Sequence, residues 1–269
     1  MRGRPRGVLA VLAVATLAVL YVPLVAVAAL SVNASRYGVA WKGFTLQWYG
    51  RLLSNPLVVS AAVNTLALAA VSTAVATVLG TLLALGLERF PWPRRLKRAV
   101  DVLVTVPVVI PDIVFAVGML LAFEAARGLL GSLRLGMATM VVAHITFEIP
   151  FISLVVGSRL ATIGRTVEEA ARDLYASTSY AMRKVTLPML APGVVAGAML
   201  AFTLSLDDFV ISFFTSGPAS VTLPLYIYGA LRRGISPEVH ALSTIVFVVT
   251  IALVLSLELV MRTPREEQQ

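Results

Sequence analysis

The chain has 269 residues, of which 58% are hydrophobic and 13% are charged, and this composition excludes a soluble globular domain. The net charge of +8 would suit a nucleic-acid partner, but the basic residues lie between long apolar segments, where a topological role explains them. The chain contains no cysteine and only two histidines, so we predict no disulfide, no thiolate chemistry and no metal site.

Six apolar segments are long enough to cross a bilayer as helices, because the hydrocarbon core requires about 20 helical residues. The first segment follows a basic stretch, as in a signal peptide, but its apolar run exceeds the roughly 7–15 residues of such peptides, so we interpret it as a membrane helix. The sequence predicts an all-α polytopic membrane protein with one transmembrane domain, residues 1–269. The predicted spans are residues 8–31, 57–87, 100–123, 135–157, 191–214 and 241–261.

All lysines and arginines lie outside these spans. If the N-terminus is cytoplasmic, 15 of the 22 basic residues fall on the cytoplasmic side and seven on the outer side. This distribution satisfies the positive-inside rule. The sequence therefore predicts that both termini and the loop 158–190 lie in the cytoplasm.

The loop 158–190 is the longest polar interval between predicted spans. Its first half predicts a short helix, for which Thr166 and Glu169 would form a capping box. The motif Glu169-Ala170-Ala171, followed by Val185-Thr186-Leu187-Pro188, resembles the cytoplasmic EAA loop of type I importer permeases of the ABC superfamily. The alternative is an ordinary amphipathic surface helix.

The resemblance to type I importer permeases implies their fold and a coupling helix that binds a groove of a separate ATP-hydrolysing subunit. The family usually has glycine where this chain has Tyr175. Glycine adopts a positive φ at no steric cost and tyrosine does not, so the turn is either built differently or strained. The residues that the resemblance assigns to coupling are Glu168, Glu169, Ala170, Ala171, Arg172, Asp173, Tyr175, Leu187 and Pro188.

Four carboxylates lie well inside the predicted spans, where an acid costs roughly 2.5–3.5 kcal/mol on insertion scales, whereas Asp101 and Glu258 lie near the cytoplasmic ends of their spans. They could line a path for a cationic solute, or each could be neutral, capped by backbone, or paired with an arginine of a second subunit. We favour the path, because the chain contains a set of them. His144 precedes Glu148 by four residues, a spacing that permits contact along a helix. The four acids are Asp112, Glu148, Asp207 and Asp208.

Segments along most of the chain resemble the second permease subunit of spermidine/putrescine importers. The resemblance implies that Trp48, Asp112, Ser205, Asp207 and Asp208 contribute to a polyamine path. Glu148 stands where we expect no acid in that family, so it is either an extra binding charge or a mark of another substrate. The matching segments are residues 106–107, 111–114, 143–147, 205–210, 217–218, 222–225 and 236–239.

None of the three lysines follows a glycine, so the chain lacks a phosphate-binding loop and ATP must bind a partner. The resemblance implies two copies of an ABC ATPase, a non-identical second permease, an extracytoplasmic substrate-binding protein and the bacterial cytoplasmic membrane. We predict no cofactor and no catalytic residue in this chain. The alternatives are an importer for another small solute and a stand-alone secondary transporter, which would show broken helices in two related halves.

Overall fold

The structure is a computed structural model that describes residues 4–36, 40–233 and 236–262. These residues form α-helices, one π-helical turn, connecting loops and an isolated bridge between Asn33 and Phe44. The helices are α1 Arg4–Ser31, α2 Gln47–Ser54, α3 Pro56–Arg89, α4 Arg94–Val109, α5 Asp112–Leu130, α6 Met137–Ile163, α7 Thr166–Asp173, α8 Thr178–Ala181, α9 Leu187–Asp207, α10 Val210–Thr215, α11 Leu223–Arg233 and α12 Pro237–Arg262, and the π-helical turn is Met182–Thr186.

The all-α class is confirmed, but the count of six spans is not reached within the described ranges. Four helical stretches there are long and apolar enough to cross a membrane, and a bent pair of helices supplies a fifth. Helix α12 contributes the apolar stretch Pro237–Ala252 to the residues compared, and the helix itself extends to Arg262. Helix α6 continues to Ile163, beyond the predicted end at residue 157, and so includes Arg159.

The predicted span over residues 100–123 is divided into two helices in the structure. Helices α4 and α5 meet at an angle of 113°. The break lies at Ile110, which is extended with ψ 139°, because the ring of Pro111 disfavours the α conformation in the residue before it. Asp112 is consequently the first residue of α5, rather than a residue inside a continuous span.

The predicted span 191–214 also differs from the structure at both ends. The helix begins before Pro188, because the π-helical turn leads directly into α9. At its far end α9 stops at Asp207, Asp208 is extended with ψ 125°, and the chain restarts as α10. The carboxylate of Asp208 accepts hydrogen bonds from the backbone N–H groups of Ile211 and Ser212, so it caps α10.

The chain divides into two compact units, and the larger comprises residues 60–226. Helices α6 and α9 pack closely within it, because glycines permit the approach. A Cβ atom on Gly193 would lie 2.7 Å from Cβ of Arg159, and one on Gly197 would lie 3.3 Å from Cγ2 of Ile152. Ile152 is fully buried and belongs to an apolar core formed mainly by α3, α6 and α9.

The smaller unit comprises residues 1–59 and 227–269, and in its described part α12 packs against α1 and α2. Trp48 of α2 is buried, and its Nε1 donates a hydrogen bond of 2.8 Å to the backbone oxygen of Asn33. The side-chain oxygen of Asn33 accepts bonds from the backbone N–H groups of Ser35 and Lys42. Trp48 therefore holds a loop in place, and its role in a substrate path stays a prediction.

Candidate coupling region and translocation site

Helix α7 carries the acidic-alanine motif, and its first turn contains Glu168 and Glu169. The predicted capping box is wrong, because the helix is capped by Arg165 and Thr166 is already its first residue. Arg165 makes no side-chain cap bond, and its guanidinium instead donates to the backbone oxygen of Glu88 at 2.8 Å. Carboxylates in the first turn still interact favourably with the helix dipole.

Glu168 fastens α7 to the remainder of the larger unit. Its Oε1 accepts a hydrogen bond of 2.8 Å from Nε of Arg89 and one of 3.1 Å from the hydroxyl of Thr186. The guanidinium of Arg89 also donates to the backbone oxygen of Gly164 at 2.9 Å. The side chains of Arg89 and Glu168 are only 10% and 13% exposed. Glu168 therefore connects α7 with the end of α3 and with the π-helical turn.

The opposite face of α7 is open. Glu169, Ala170 and Asp173 are exposed on this side and Ala171 is half-buried, whereas Arg172 is exposed one turn beyond Glu168. A cleft of about 250 Å³ runs beside this helix, and Glu168, Glu169 and Arg172 contribute to its wall. A helix that is anchored on one face and charged on the other can contact another protein without losing its own position. Leu187 and Pro188 are also exposed, at the start of α9.

Tyr175 is strained, which is one of the two outcomes that the sequence left open. Its φ is +61°, a value at which a side chain costs roughly 1–2 kcal/mol. The turn has the hydrogen bonds of a Schellman motif, because the N–H of Tyr175 bonds to the oxygen of Arg172 and the N–H of Ala176 bonds to the oxygen of Ala171. The Tyr175 side chain is 98% exposed, so packing does not compensate the strain.

A hydrogen-bonded cluster of polar side chains lies inside the larger unit and is called the buried polar cluster below. Helix α3 supplies one member, α6 two, α9 one, and the α9–α10 break together with α10 supplies the remaining two. Because these elements are far apart in the sequence, the cluster forms only when they pack. Its members are Ser72, His144, Glu148, Ser205, Asp208 and Ser212.

Glu148 is 1% exposed, and its Oε1 accepts a hydrogen bond of 2.7 Å from Ser72. Its Oε2 has no hydrogen-bond partner among the described residues. Ser72 lies 3.3 Å from the hydroxyl of Ser205, which in turn contacts Nδ1 of His144 at 2.7 Å. The serines therefore join the acid to the histidine, although the two lie one turn apart on the same helix.

His144 is directed at the break between α9 and α10. Its Nε2 lies 3.3 Å from Oδ2 of Asp208 and 3.2 Å from the hydroxyl of Ser212. Asp208 thus has His144 and two backbone N–H donors as partners, which agrees with the alternative of an acid capped by backbone. The sequence spacing had indicated Glu148 as the neighbour of His144, and the structure places Asp208 and the serines against its ring nitrogens.

Asp112 and Asp207 differ from Asp208 because both are exposed. Helix α5, which begins at Asp112, packs against α10, and Asp207 lies within electrostatic range of both Asp112 and Asp208. The first turn of a helix favours an acid, whereas Asp207 is the last residue of α9, where the helix dipole opposes its charge. Asp207 is therefore a carboxylate for which a nearby cation would be favourable.

The structure brings five of the six predicted path residues into the larger unit and leaves Trp48 in the smaller one. It divides the five into an exposed pair, Asp112 and Asp207, and a buried group. Sequence reasoning missed Ser72 and Ser212, because a serine within an apolar run carries no spacing signal. Within the described ranges no group of three or more His, Asp or Glu side chains is placed to hold a metal ion.

Residues 76–263 match the protein family described as binding-protein-dependent transport system inner membrane component. The chain is 41% identical to the spermidine/putrescine transport system permease protein PotC of Escherichia coli strain K12, over 91% of this chain and 90% of that protein. It is 39% identical to PotC of Haemophilus influenzae, over 91% and 93%. It is 38% identical to the putrescine transport system permease protein PotI of Escherichia coli strain K12, over 84% and 81%.

Two solved structures share the fold. The first is a bacterial ABC transporter involved in the import of alginate, with a TM-score of 0.75 at 19% identity over 97% of this chain and 94% of that one. The second is the inward-facing MetNI methionine ABC transporter, with a TM-score of 0.61 at 22% identity over 78% and 94%. The family match does not favour the stand-alone secondary transporter. The chain belongs to the binding-protein-dependent transport system inner membrane components and is a membrane-spanning permease subunit of an ABC importer.

Proposed function

We propose that this permease imports polyamines, spermidine or putrescine, across the bacterial cytoplasmic membrane. The observation that carries the proposal is the 38–41% identity to permeases named for these cargoes, which extends over at least 84% of the chain. Polyamines are chains of ammonium groups, so a path for them needs carboxylates that are open to the cargo. Asp112 and Asp207 supply such groups on adjacent elements.

The exposed and buried acids have different roles in this proposal. A carboxylate and an ammonium group ~4 Å apart attract by roughly 4 kcal/mol at an effective dielectric constant of ~20, before desolvation is counted. Asp112 and Asp207 would offset part of the hydration that successive ammonium groups lose. Asp208 holds the α9–α10 break, because both of its oxygens accept backbone hydrogen bonds. Release also requires that neither acid binds very tightly.

The test of the cargo uses the complete importer, expressed in cells that lack other polyamine uptake. Asp207→Asn and Asp112→Asn keep the shape and remove the charge, so the KM for labelled spermidine should rise about tenfold, the loss of one charge-assisted contact. Asp208→Asn should instead lower the amount of assembled complex. The matched control is Asp101→Asn, an exposed acid on α4, which should transport normally.

Normal KM values in both Asp112→Asn and Asp207→Asn would contradict the role of these acids. Import of only a neutral or anionic solute by the intact complex would contradict the cargo itself. In the second case the assignment as an importer permease would still stand, since it rests on the family match.

We further propose that the open face of α7 docks an ABC ATPase, of which the importer contains two copies. The remaining partners are a non-identical second permease and an extracytoplasmic binding protein. Support for the binding protein comes from a solved alginate ABC transporter in complex with a periplasmic protein, which shares this fold with a TM-score of 0.73. Both termini and α7 lie in the cytoplasm in this arrangement, where ATP is available. ATP is bound by the ATPase partner, and this chain contributes no cofactor site.

Glu169→Lys tests the docking face. Glu169 is exposed, so reversing its charge should leave the permease folded while abolishing spermidine uptake and the ATP hydrolysis that substrate stimulates. The control is Glu124→Lys, a partly exposed acid whose surface ion pair with Arg127 contributes little. A Glu169→Lys importer that couples hydrolysis to uptake at normal rates would show that α7 is not the coupling element.

A further inference from the structure

One exposed basic surface shares Phe90 with the cleft beside α7, but its arginines belong neither to that cleft nor to the path. It consists of the turn after α3 and the first turns of α4, and it is called the α4 surface below. Phe90 and Trp92 are exposed in the turn, and Arg94, Arg95 and Arg98 are exposed on the helix. The three arginines make no hydrogen bond through their side chains and no ion pair with any residue that the structure describes.

The acidic residues near the α4 surface either pair with other basic residues or make no ion pair with its arginines. Glu168 is paired with Arg89, and Glu88 is paired with Lys97 at 3.4 Å. Asp101, one turn beyond Arg98, makes no ion pair with it in the described part of the chain. The three arginines therefore have no counter-charge in the structure.

The position of the arginines at the start of α4 adds to the excess of positive charge. The first turn of α4 contains no acidic residue, and the N-terminal end of a helix carries a partial positive charge. Basic side chains are unfavourable there, whereas an anion beside them interacts favourably with the side chains and with the helix dipole. An anionic partner would thus neutralise the unpaired arginines and also interact favourably with the positive end of the helix dipole.

The remainder of α4 indicates what that partner is. The exposed side of the helix changes from basic to apolar along its length, since Val102, Leu103 and Val109 are 58%, 71% and 75% exposed. A basic turn followed by apolar turns is the polarity profile of a helix that enters a bilayer from its headgroup layer. Aromatic rings such as those of Phe90 and Trp92 are enriched at the same depth in membranes. A soluble protein docked on the arginines would leave the valines and leucine uncovered.

We propose that the α4 surface binds the headgroups of anionic phospholipids. The guanidinium groups of Arg94, Arg95 and Arg98 match the phosphate oxygens in geometry and charge. A lipid with a net negative charge, such as phosphatidylglycerol, is preferred over zwitterionic phosphatidylcholine, because the headgroup of the latter carries its own cation.

The test uses the full-length permease in its importer complex, reconstituted into nanodiscs that contain both phosphatidylglycerol and phosphatidylcholine. Native mass spectrometry of the released complex reports the ratio of the two lipids that stay bound. The variant Arg94→Gln with Arg98→Gln should lower the preference for phosphatidylglycerol by roughly fivefold for each arginine removed at low ionic strength. Added salt should reduce the preference of the unaltered complex.

Two further variants separate charge from folding. Arg94→Lys with Arg98→Lys keeps both charges and should retain most of the preference. Arg127→Gln with Arg134→Gln removes two exposed charges elsewhere and should leave it unchanged. The proposal is overturned if the unaltered complex shows no preference, or if both glutamine pairs lower it equally. It is also overturned if the α4 pair releases the ATPase while the lipid ratio stays the same, because the surface would then contact a protein.

Discussion

Replacing Glu168 by glutamine tests whether the inner face of α7 is fixed by one ion pair. The substitution keeps the length of the side chain and its capacity to accept a bond from Thr186. It removes the charge that lies 2.8 Å from Nε of Arg89. The adjacent Glu169 is exposed, so Glu169→Gln removes the same charge one residue away without breaking a contact within the larger unit.

The expected loss in the free energy of unfolding follows from the burial of the Arg89–Glu168 pair. At 2.8 Å and an effective dielectric constant of ~20, the attraction is roughly 6 kcal/mol before desolvation is counted. Removing one partner of a buried pair costs about 3–5 kcal/mol, because the other charge stays buried. Both side chains are about a tenth exposed, and the guanidinium keeps its bond to Gly164. We therefore expect Glu168→Gln to lower the free energy of unfolding by about 2–3 kcal/mol, which is less than for a fully buried pair.

The assay is urea-induced unfolding of the purified permease in detergent micelles. Glu168→Gln should shift the midpoint to lower urea, whereas Glu169→Gln should unfold as the unaltered protein does. Adding Arg89→Gln completes a double-mutant cycle, in which the double variant should be more stable than the sum of the two single losses predicts, by at least about 1 kcal/mol. Because the chain contains no cysteine, Asp173→Cys provides a single labelling site that reports whether α7 has moved.

Equal unfolding midpoints for Glu168→Gln and the unaltered protein would refute this reasoning. The ion pair would then be one of the many surface pairs that contribute nothing measurable. An additive cycle would have the same consequence, since the two side chains would then not stabilise one another.

Two further predictions concern the turn after α7 and the orientation of the chain. Tyr175→Gly should stabilise the permease by about 0.5–1 kcal/mol in the same unfolding assay, since the relief of the positive φ exceeds the added chain entropy of glycine; a destabilised variant would mean that the tyrosine ring itself holds the turn. Reporter fusions after residues 45 and 175 should lie on opposite sides of the membrane, as the excess of basic residues on one side predicts; two reporters on one side would contradict the topology.

Several features were predictable from sequence because they depend on short stretches of chain. The length of an apolar run indicates a membrane helix wherever that run is placed, and α1, α3 and α6 lie close to their predicted ranges. The helix that carries Glu169 and the anomaly at Tyr175 were also local, because a residue type and its backbone angle are linked by sterics. A proline such as Pro111 disfavours helix in the residue before it, but the angle of 113° between α4 and α5 depends on how those helices pack.

The buried polar cluster could not be predicted from the sequence, because it too depends on how separate helices pack. Ser72 and Glu148 are 76 positions apart, and His144 and Ser212 are 68 apart, so only packing of separate helices brings them within hydrogen-bond distance. A carboxylate in an apolar segment shows from sequence that it needs a partner or a cavity, because a bare charge is costly in the membrane.

By itself, the sequence determined the all-α membrane class, the resemblance to importer permeases and the set of acids that require an explanation. Each of these follows from residue type, run length or motif. Only the tertiary structure decided how the acids differ: Glu168 is bound within the larger unit and Glu169 is open, and Asp208 caps a helix while Asp207 is exposed. Adjacent residues have almost the same sequence environment, but their side chains point in different directions along a helix or across its end, so burial and partners separate them.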